Sequence, residues 1–133
     1  MSWDVVLIRT KTNKEPLEEI ESENIIPFSF AEFTQEMQKI AGQQSAEYDP
    51  TIASQLMRTN TWSIEVYPEE ENESIGLSIR GSEEPTEVLK ALHKDLGCRL
   101  IDCCTSEFID FTKSSSFEKW KSYRDQIIAS YNN

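Results

Sequence analysis

The stretch that decides the fold lies at residues 62–81. Residues 62–67 read Trp-Ser-Ile-Glu-Val-Tyr and residues 75–81 read Ile-Gly-Leu-Ser-Ile-Arg-Gly, with a polar acidic segment between them. Apolar and polar residues alternate on both sides of that segment, which is the pattern of two half-buried strands joined as a hairpin. We therefore predict an antiparallel hairpin whose apolar face turns towards a core.

The register of this hairpin follows from matching its apolar positions. If Tyr67 lies opposite Ser74, every apolar residue of the first strand faces an apolar residue of the second, as Ile64 faces Leu77. A slip by one residue would place those side chains on opposite faces of the sheet. We therefore predict the register that pairs Tyr67 with Ser74.

Length and charge bound the class of protein. The chain has 133 residues and a net charge of −11, which suits a single domain spanning 1–133. This charge repels nucleic acid and anionic membranes, and it favours a basic protein as the partner. We see no signal peptide and no run of ~20 apolar residues. We expect no disulfide framework, because two of the three Cys are adjacent. We therefore expect a cytoplasmic protein with reduced thiols.

The N-terminal half predicts a strand followed by a helix. Residues 3–9 are apolar on both faces, which is typical of a central strand. Ser29 and Glu32 have the spacing of a capping box, and Gly42 is the predicted helix end. The apolar positions of this helix are Phe30, Phe33, Met37 and Ile40. Residues 51–58 are predicted as a short helix.

The C-terminal half adds two helices and the last strand. A helix begins near Pro85 and ends at Gly97, and residues 99–105 form a strand that residues 107–111 continue or return along. A third helix follows residues 114–116, with an apolar stripe of Phe117, Trp120, Ile127, Ile128 and Tyr131. The order β-α-β-β-α-β-α predicts an α+β fold with an antiparallel or mixed sheet, ferredoxin-like with an added C-terminal helix. We expect that helix to cover part of the second sheet face.

Arg124 lies inside the apolar stripe of the third helix, between Trp120 and Ile127. A guanidinium at such a position must reach water or a carboxylate. The candidate carboxylates are Asp4, Asp102 and Asp110. We predict that Arg124 docks the last helix rather than binds a ligand.

Three carboxylates gather near the end of the last strand, namely Asp102, Glu107 and Asp110. Carboxylates in such a group can act as general acid and base or bind a divalent cation. The sequence has no glycine-rich loop that would cradle a phosphate. Two interpretations stay open at this point: a catalytic cluster, or a solvated acidic edge that holds a turn.

The histidine and the cysteines do not form a recognisable catalytic or metal set. His93 is the only imidazole, and no Ser lies in a strained glycine-rich elbow. Cys103 and Cys104 are adjacent on a predicted strand and point to opposite faces, so they are poorly placed to bind one ion together with Cys98. We assign no catalytic residue, no metal ligand and no cofactor.

The polar face of the hairpin carries Glu65 and Arg80. Opposite charges on neighbouring strands favour each other, so a cross-strand ion pair is one interpretation and a recognition surface is the other. The acidic residues of the connecting segment 69–73 either stay solvated or steer a basic partner.

Several motifs resemble those of a known family. Residues 1–5 read Met-Ser-Trp-Asp-Val, residues 74–81 read Ser-Ile-Gly-Leu-Ser-Ile-Arg-Gly, and residues 100–102 and 107–110 read Leu-Ile-Asp and Glu-Phe-Ile-Asp. In this order they resemble a family of small, mostly uncharacterised bacterial proteins that open with Met-Ser-Trp-Asp-Val. The resemblance implies no catalytic residue. Small acidic proteins of this kind also resemble, by analogy, the immunity proteins of bacterial toxin systems.

These observations favour a non-enzymatic, acidic protein-binding protein that is immunity-like and neutralises a basic partner. The candidate partner-binding residues are Glu65, Arg80, Asp102, Glu107 and Asp110. One alternative is a small carboxylate-dependent or metal-dependent hydrolase that uses the last three of these residues. Another is a structural homo-oligomer that buries the hairpin face or an edge strand.

Overall fold

The computed structural model describes residues 1–12, 14–50 and 54–131. Over these residues the chain forms nine strands and three helices, with two short 3-10 turns between the first and second strands. In chain order the elements are β1 (Trp3–Ile8), β2 (Phe28–Ser29), α1 (Phe30–Gln43), β3 (Glu47–Asp49), β4 (Gln55–Arg58), β5 (Trp62–Val66), β6 (Glu71–Asn72), β7 (Ser74–Gly81), α2 (Thr86–Leu96), β8 (Arg99–Asp102), β9 (Glu107–Phe108) and α3 (Phe117–Tyr131).

Seven of these strands form one antiparallel sheet. Their order is β3-β4-β5-β7-β1-β8-β9, and β2 pairs with β6 in a separate two-stranded ribbon. The predicted α+β class is confirmed, and β1 lies between β7 and β8 as a central strand. The predicted ferredoxin-like β-α-β-β-α-β-α order is not confirmed, because β2, β3 and β4 precede the hairpin, β6 lies within it, and β9 returns along β8.

The hairpin of residues 62–81 forms with a register two residues away from the predicted one. Ile64 lies opposite Ile79 rather than Leu77, so the pairing of Tyr67 with Ser74 is wrong. A shift by two residues keeps every side chain on its own face. The predicted apolar face is therefore buried although the predicted register does not form.

The connection between the two hairpin strands explains the shift. Residues 67–73 form a longer loop rather than a tight turn, and the side chain of Asn72 within this loop is buried. The Asn72 side chain accepts a hydrogen bond from the Glu69 N–H at 2.8 Å and donates to the Glu69 carbonyl at 2.9 Å. Residues 71–72 pair with β2, so the connection is anchored to the start of α1.

Residues 55–58 form a strand instead of the predicted helix, and residues 51–53 of that prediction lie outside the described residues. β4 pairs with β3 on one side and with β5 on the other. The polar residue Gln55 breaks the apolar pattern that would have predicted this strand, because its side chain occupies a core position and is only 1% exposed. Its amide donates to Thr34 Oγ1 at 2.9 Å, and its carbonyl accepts from the Tyr48 hydroxyl.

The end of β8 is a turn rather than more strand. β8 stops at Asp102, before the predicted end at residue 105, because the N–H groups of Thr105 and Ser106 both donate to the Asp102 carbonyl. Ser106 takes a left-handed conformation with φ of 57°. Residues 107–108 then return as β9, which is the second of the two predicted alternatives.

The buried apolar side chains form one cluster on the sheet face that carries Trp3, Val5 and Leu7. All three helices contribute to it, with Phe33, Met37, Ile40 and Ala41 from α1, Val88, Leu89, Leu92 and Leu96 from α2, and Phe117 and Trp120 from α3. The Phe117 ring lies edge-on to Trp3 with 5.4 Å between ring centroids. The prediction that the C-terminal helix covers the second face is therefore wrong for these residues.

We call the second sheet face the open face, and on β1 it carries Asp4, Val6 and Ile8. Strand alternation assigns to it Leu56 and Arg58 of β4, Ser63 and Glu65 of β5, Ser74, Gly76, Ser78 and Arg80 of β7, Arg99 and Ile101 of β8, and Phe108 of β9. Apart from Ile8, these residues are half-buried or exposed. Antiparallel sheets commonly leave one face to solvent in this way.

The helix starts follow the sequence, whereas the predicted helix faces hold only in part. Ser29 and Glu32 form the predicted capping box, with the Ser29 hydroxyl 3.1 Å from the Glu32 N–H. The predicted apolar positions of α1 are buried except for Phe30, which is 39% exposed. In α3 the predicted stripe is buried only at its start, since Ile128 and Tyr131 are exposed.

Candidate functional site

The predicted carboxylates Asp102, Glu107 and Asp110 line one depression of about 330 Å³. It lies between β9 and the segment that leads into α3. The three side chains differ in exposure, because Glu107 and Asp110 are exposed whereas Asp102 is only 3% exposed. The fold therefore brings the three residues together but places Asp102 beneath the surface.

The Asp102 carboxylate is occupied by donors from the chain itself. Its Oδ1 accepts from the Cys104 N–H at 3.0 Å and from the Ser116 hydroxyl at 2.7 Å, and its Oδ2 accepts from the Ser116 N–H at 3.1 Å. These bonds join the turn after β8 to the start of α3. A buried side chain bound in this way presents little surface to a partner, which leaves Glu107 and Asp110 as the accessible members of the cluster.

Ser116 extends this network to the first strand. Its hydroxyl accepts a hydrogen bond from Trp3 Nε1 at 2.9 Å while it donates to Asp102. Trp3, Asp102 and Ser116 thus link β1, β8 and α3 in one buried chain of hydrogen bonds. Sequence reasoning missed the role of Ser116, although a serine directly before an apolar helix is a signal for helix capping.

Asp110 is held in a local turn. Its Oδ1 accepts from the Thr112 N–H at 2.9 Å and from the Thr112 hydroxyl at 2.6 Å, and these hydrogen bonds lower the pKa of Asp110. Aspartate commonly bonds to the backbone two residues ahead in this manner. Within the described ranges, no group of three or more His, Cys, Asp and Glu side chains is arranged to hold a metal ion.

The cysteines are free thiols in different surroundings. Cys98 is buried and donates to the Leu92 carbonyl, and burial raises its pKa to about 12, so its thiol stays protonated at neutral pH. Cys103 and Cys104 are exposed. His93 is exposed as well, and its Nδ1 donates to the Cys98 carbonyl at 2.6 Å.

Glu65 and Arg80 form an ion pair on the open face, with Arg80 Nη1 3.9 Å from Glu65 Oε2. The pair is diagonal, because Glu65 lies opposite Ser78 and Arg80 lies opposite Ser63. Both side chains keep substantial contact with solvent, and exposed pairs of this kind contribute little to stability. Their role in partner binding stays a prediction.

Arg124 does not contact Asp4, Asp102 or Asp110, so its predicted partners are wrong. Its Nη1 donates to the Gly81 carbonyl at 2.7 Å, and its Nε and Nη2 donate to its neighbour Asp125. The guanidinium also lies 4.9 Å from the centre of the Trp120 ring. The Asp102 carboxylate already accepts hydrogen bonds from Ser116 and from the turn after β8. Arg124 instead attaches α3 to the end of β7.

Two acidic segments meet at one end of the sheet. Residues 11–27 contain five Glu and two Lys, and residues 67–73 contain four Glu and no basic residue. They adjoin because β2, which follows the first segment, pairs with β6 in the second, and the Phe30 N–H donates to the Glu70 carbonyl at 2.9 Å. We call residues 11–12, 14–27 and 67–73 the acidic end. Sequence reasoning singled out the second segment but not its pairing with the first.

Comparison of the chain with protein-family models gave no match, and neither did comparisons with curated protein sequences and with solved structures. The resemblance to the Met-Ser-Trp-Asp-Val family therefore stays a prediction. In the described part of the chain, no helix combines the length and apolar character needed to cross a membrane.

Proposed function

We propose that this protein is a non-enzymatic, cytoplasmic binding protein that neutralises a basic protein partner in the manner of an immunity protein. The observation that supports this proposal is the acidic end. Nine carboxylates from two segments, against two lysines, adjoin where β2 pairs with β6. Glu15 is paired with Arg99 at 3.8 Å, which leaves the other eight to form the negative surface. A negative surface of this kind complements a cationic patch on another protein.

The physical basis is long-range attraction followed by local contact. Like charges that are close together raise the local potential and speed the encounter with an oppositely charged partner. The effect is screened over about 8 Å at physiological salt, so the binding should weaken as salt is added. On the adjoining sheet face Arg80 is exposed and Glu65 is half-buried, and both are available for contacts that select among basic partners.

The test is affinity capture from the native host with two variants of equal charge. One variant replaces Glu69, Glu70, Glu71 and Glu73 by Gln in the acidic end. The matched control replaces four exposed carboxylates elsewhere by the corresponding amides, namely Glu83, Glu87, Glu118 and Asp125. Both variants therefore lose the same net charge.

We expect the natural protein and the control variant to retain a basic protein at about 0.05 M NaCl and to release it by about 0.5 M NaCl. The acidic-end variant should fail to retain it. Recovery of no stable partner, or equal retention by the two variants, would contradict the proposal.

A further inference from the structure

The turn after β8 carries two exposed cysteines side by side. Because β8 ends at Asp102, Cys103 and Cys104 do not lie on a strand, and the expectation that they point to opposite faces of the sheet does not apply to them. The Thr105 N–H donates to the Asp102 carbonyl at 3.2 Å, which makes the two cysteines the central residues of a β-turn. Both thiols are free and exposed, whereas the thiol of Cys98 is buried. Two thiols on adjacent residues of one turn are held close together, which favours a reaction between them.

The peptide group between the two cysteines belongs to a buried network of hydrogen bonds. Its N–H, which is that of Cys104, donates to Asp102 Oδ1 at 3.0 Å. The same oxygen accepts from the Ser116 hydroxyl at 2.7 Å, and that hydroxyl accepts from Trp3 Nε1 at 2.9 Å. A change in the orientation of this one peptide group therefore reaches the first strand and the start of α3.

A disulfide between the two cysteines would close a small ring that includes this peptide group. Adjacent Cα atoms are about 3.8 Å apart, whereas the Cα atoms joined by an ordinary disulfide are about 4.4–6.8 Å apart. The ring therefore closes only if the turn changes shape, and the Cys104 N–H then no longer points at Asp102. A disulfide that is strained in this way is easily reduced again. Such a bond suits a reversible response rather than a permanent crosslink.

From this turn and its place in the network we propose that Cys103 and Cys104 form a redox-sensitive switch, which a low-molecular-weight disulfide closes. One cysteine thiol attacks the external disulfide, forms a mixed disulfide and releases one external thiol. The other cysteine thiol attacks the mixed disulfide, forms the Cys103–Cys104 bond and releases the second external thiol. The two cysteines are oxidised, the external disulfide is reduced, and the two cysteine protons pass to the released thiolates. Closure of the ring breaks the hydrogen bond from Cys104 to Asp102 and loosens the attachment of α3 to the turn after β8.

The surroundings of the turn keep the switch open at rest. Partial burial, together with Asp4 and Asp102, raises the pKa of Cys103. A protonated thiol does not attack a disulfide, so exchange through Cys103 is slow. Cys98 takes no part, because its thiol is buried and its pKa is about 12. The switch therefore closes when an oxidised external disulfide is in excess and opens again when that excess is removed.

The test treats the folded natural protein with an excess of oxidised glutathione. Intact mass, free-thiol content and a peptide map identify the product, and dithiothreitol checks that the reaction is reversible. Cys103→Ser and Cys104→Ser are the matched variants, because each keeps one thiol in the turn and must stop at the mixed disulfide. Urea unfolding followed by tryptophan fluorescence reports on the network that contains Trp3.

We expect the natural protein to lose two of its three free thiols and the mass of two hydrogen atoms, with the new bond mapped to Cys103 and Cys104. Its unfolding equilibrium constant should rise at least about tenfold, as for the loss of one hydrogen bond to a charged group, and should return on reduction. Each serine variant should gain one glutathione and keep the unfolding constant of its reduced form within about twofold, because its turn keeps the bond to Asp102.

Four results would overturn the proposal: no reaction of the natural protein, glutathione on both cysteines, a closed ring with an unchanged unfolding constant, or an equal rise in the serine variants. The acidic end contains no cysteine, so none of these results bears on its capture of a basic partner.

Discussion

Replacement of Asp102 by Ala should destabilise the protein strongly, although Asp102 belongs to the group that resembles a catalytic cluster. The change removes three hydrogen bonds to a buried carboxylate and leaves the Ser116 N–H without its acceptor. Hydrogen bonds to charged groups contribute about 1.5–3 kcal/mol each, and the cost of burying the carboxylate offsets part of their sum. We expect the free energy of unfolding to fall by about 3 kcal/mol, a large share of the roughly 5–15 kcal/mol typical of a domain.

Urea unfolding followed by tryptophan fluorescence measures this loss, since Trp3 belongs to the same network. Ser116→Ala should cost about 1.5 kcal/mol, and the double variant should cost less than the two single changes together, because the residues share a hydrogen bond. Glu107→Ala is the control, and its unfolding midpoint should stay where it is because Glu107 lines the same depression but is exposed. An Asp102→Ala midpoint no lower than that of the control, or strictly additive effects of Asp102 and Ser116, would refute the reasoning.

Three further substitutions test the helices and the end of the hairpin. Burial and a neighbouring Asp95 raise the pKa of Glu36 from 4.5 to about 7. Between these two pH values the folded protein binds a proton that the unfolded chain has lost. The free energy of unfolding should therefore fall as pH rises from about 4.5 through 7. Glu36→Gln should remove this loss and raise the free energy of unfolding at pH 8 by about 1 kcal/mol, as measured by urea titrations at pH 5 and pH 8. An unchanged pH dependence would speak against the interaction of Glu36 with Asp95. Gly81→Ala should cost at least about 3 kcal/mol in the same assay, because Gly81 has φ of 138° and a Cβ would strike the Thr61 carbonyl, and a loss below about 1 kcal/mol would contradict that geometry. Gly42→Ala should instead raise stability by about 0.5 kcal/mol, because the site is open and helical, and a lower unfolding midpoint would show that the glycine is needed there.

The sequence predicts which side chains of the hairpin face the core, but not which of them are opposite each other. Alternation has a period of two, so it is equally satisfied by the predicted register and by the observed one. The choice between them depends on Asn72, which holds the connection as a folded loop, and on the pairing of residues 71–72 with β2. These contacts join parts of the chain that local patterns do not relate.

Two other differences have a similar physical origin. Gln55 is buried because Thr34 and Tyr48 supply its hydrogen bonds, and no rule applied to residues 51–58 alone would find those partners. The apolar stripe of α3 indicates a face that can be buried, but only Phe117 and Trp120 reach the core. Amphipathic spacing identifies a helix more reliably than it identifies what the helix packs against.

The carboxylate cluster shows the same limit at the candidate site. Sequence spacing placed Asp102, Glu107 and Asp110 near one strand end, and they do line one depression. The difference in their roles depends on Ser116, which reaches Asp102 from the start of α3, and on Thr112, which holds Asp110 locally. The acidic composition of residues 11–27 was visible in the sequence, whereas its meeting with residues 67–73 follows only from the pairing of β2 with β6.

The hydrogen bond from Trp3 to Ser116 joins residues that are 113 positions apart. During synthesis on the ribosome, β1 emerges before its partners β7 and β8 and before the start of α3. Folds dominated by such distant contacts form slowly, and strands without partners are prone to aggregation in the meantime. The nascent chain cannot complete its sheet until β8 and β9 have left the exit tunnel, so the yield of folded protein in the cell depends on how well the apolar strand β1 is protected while translation proceeds.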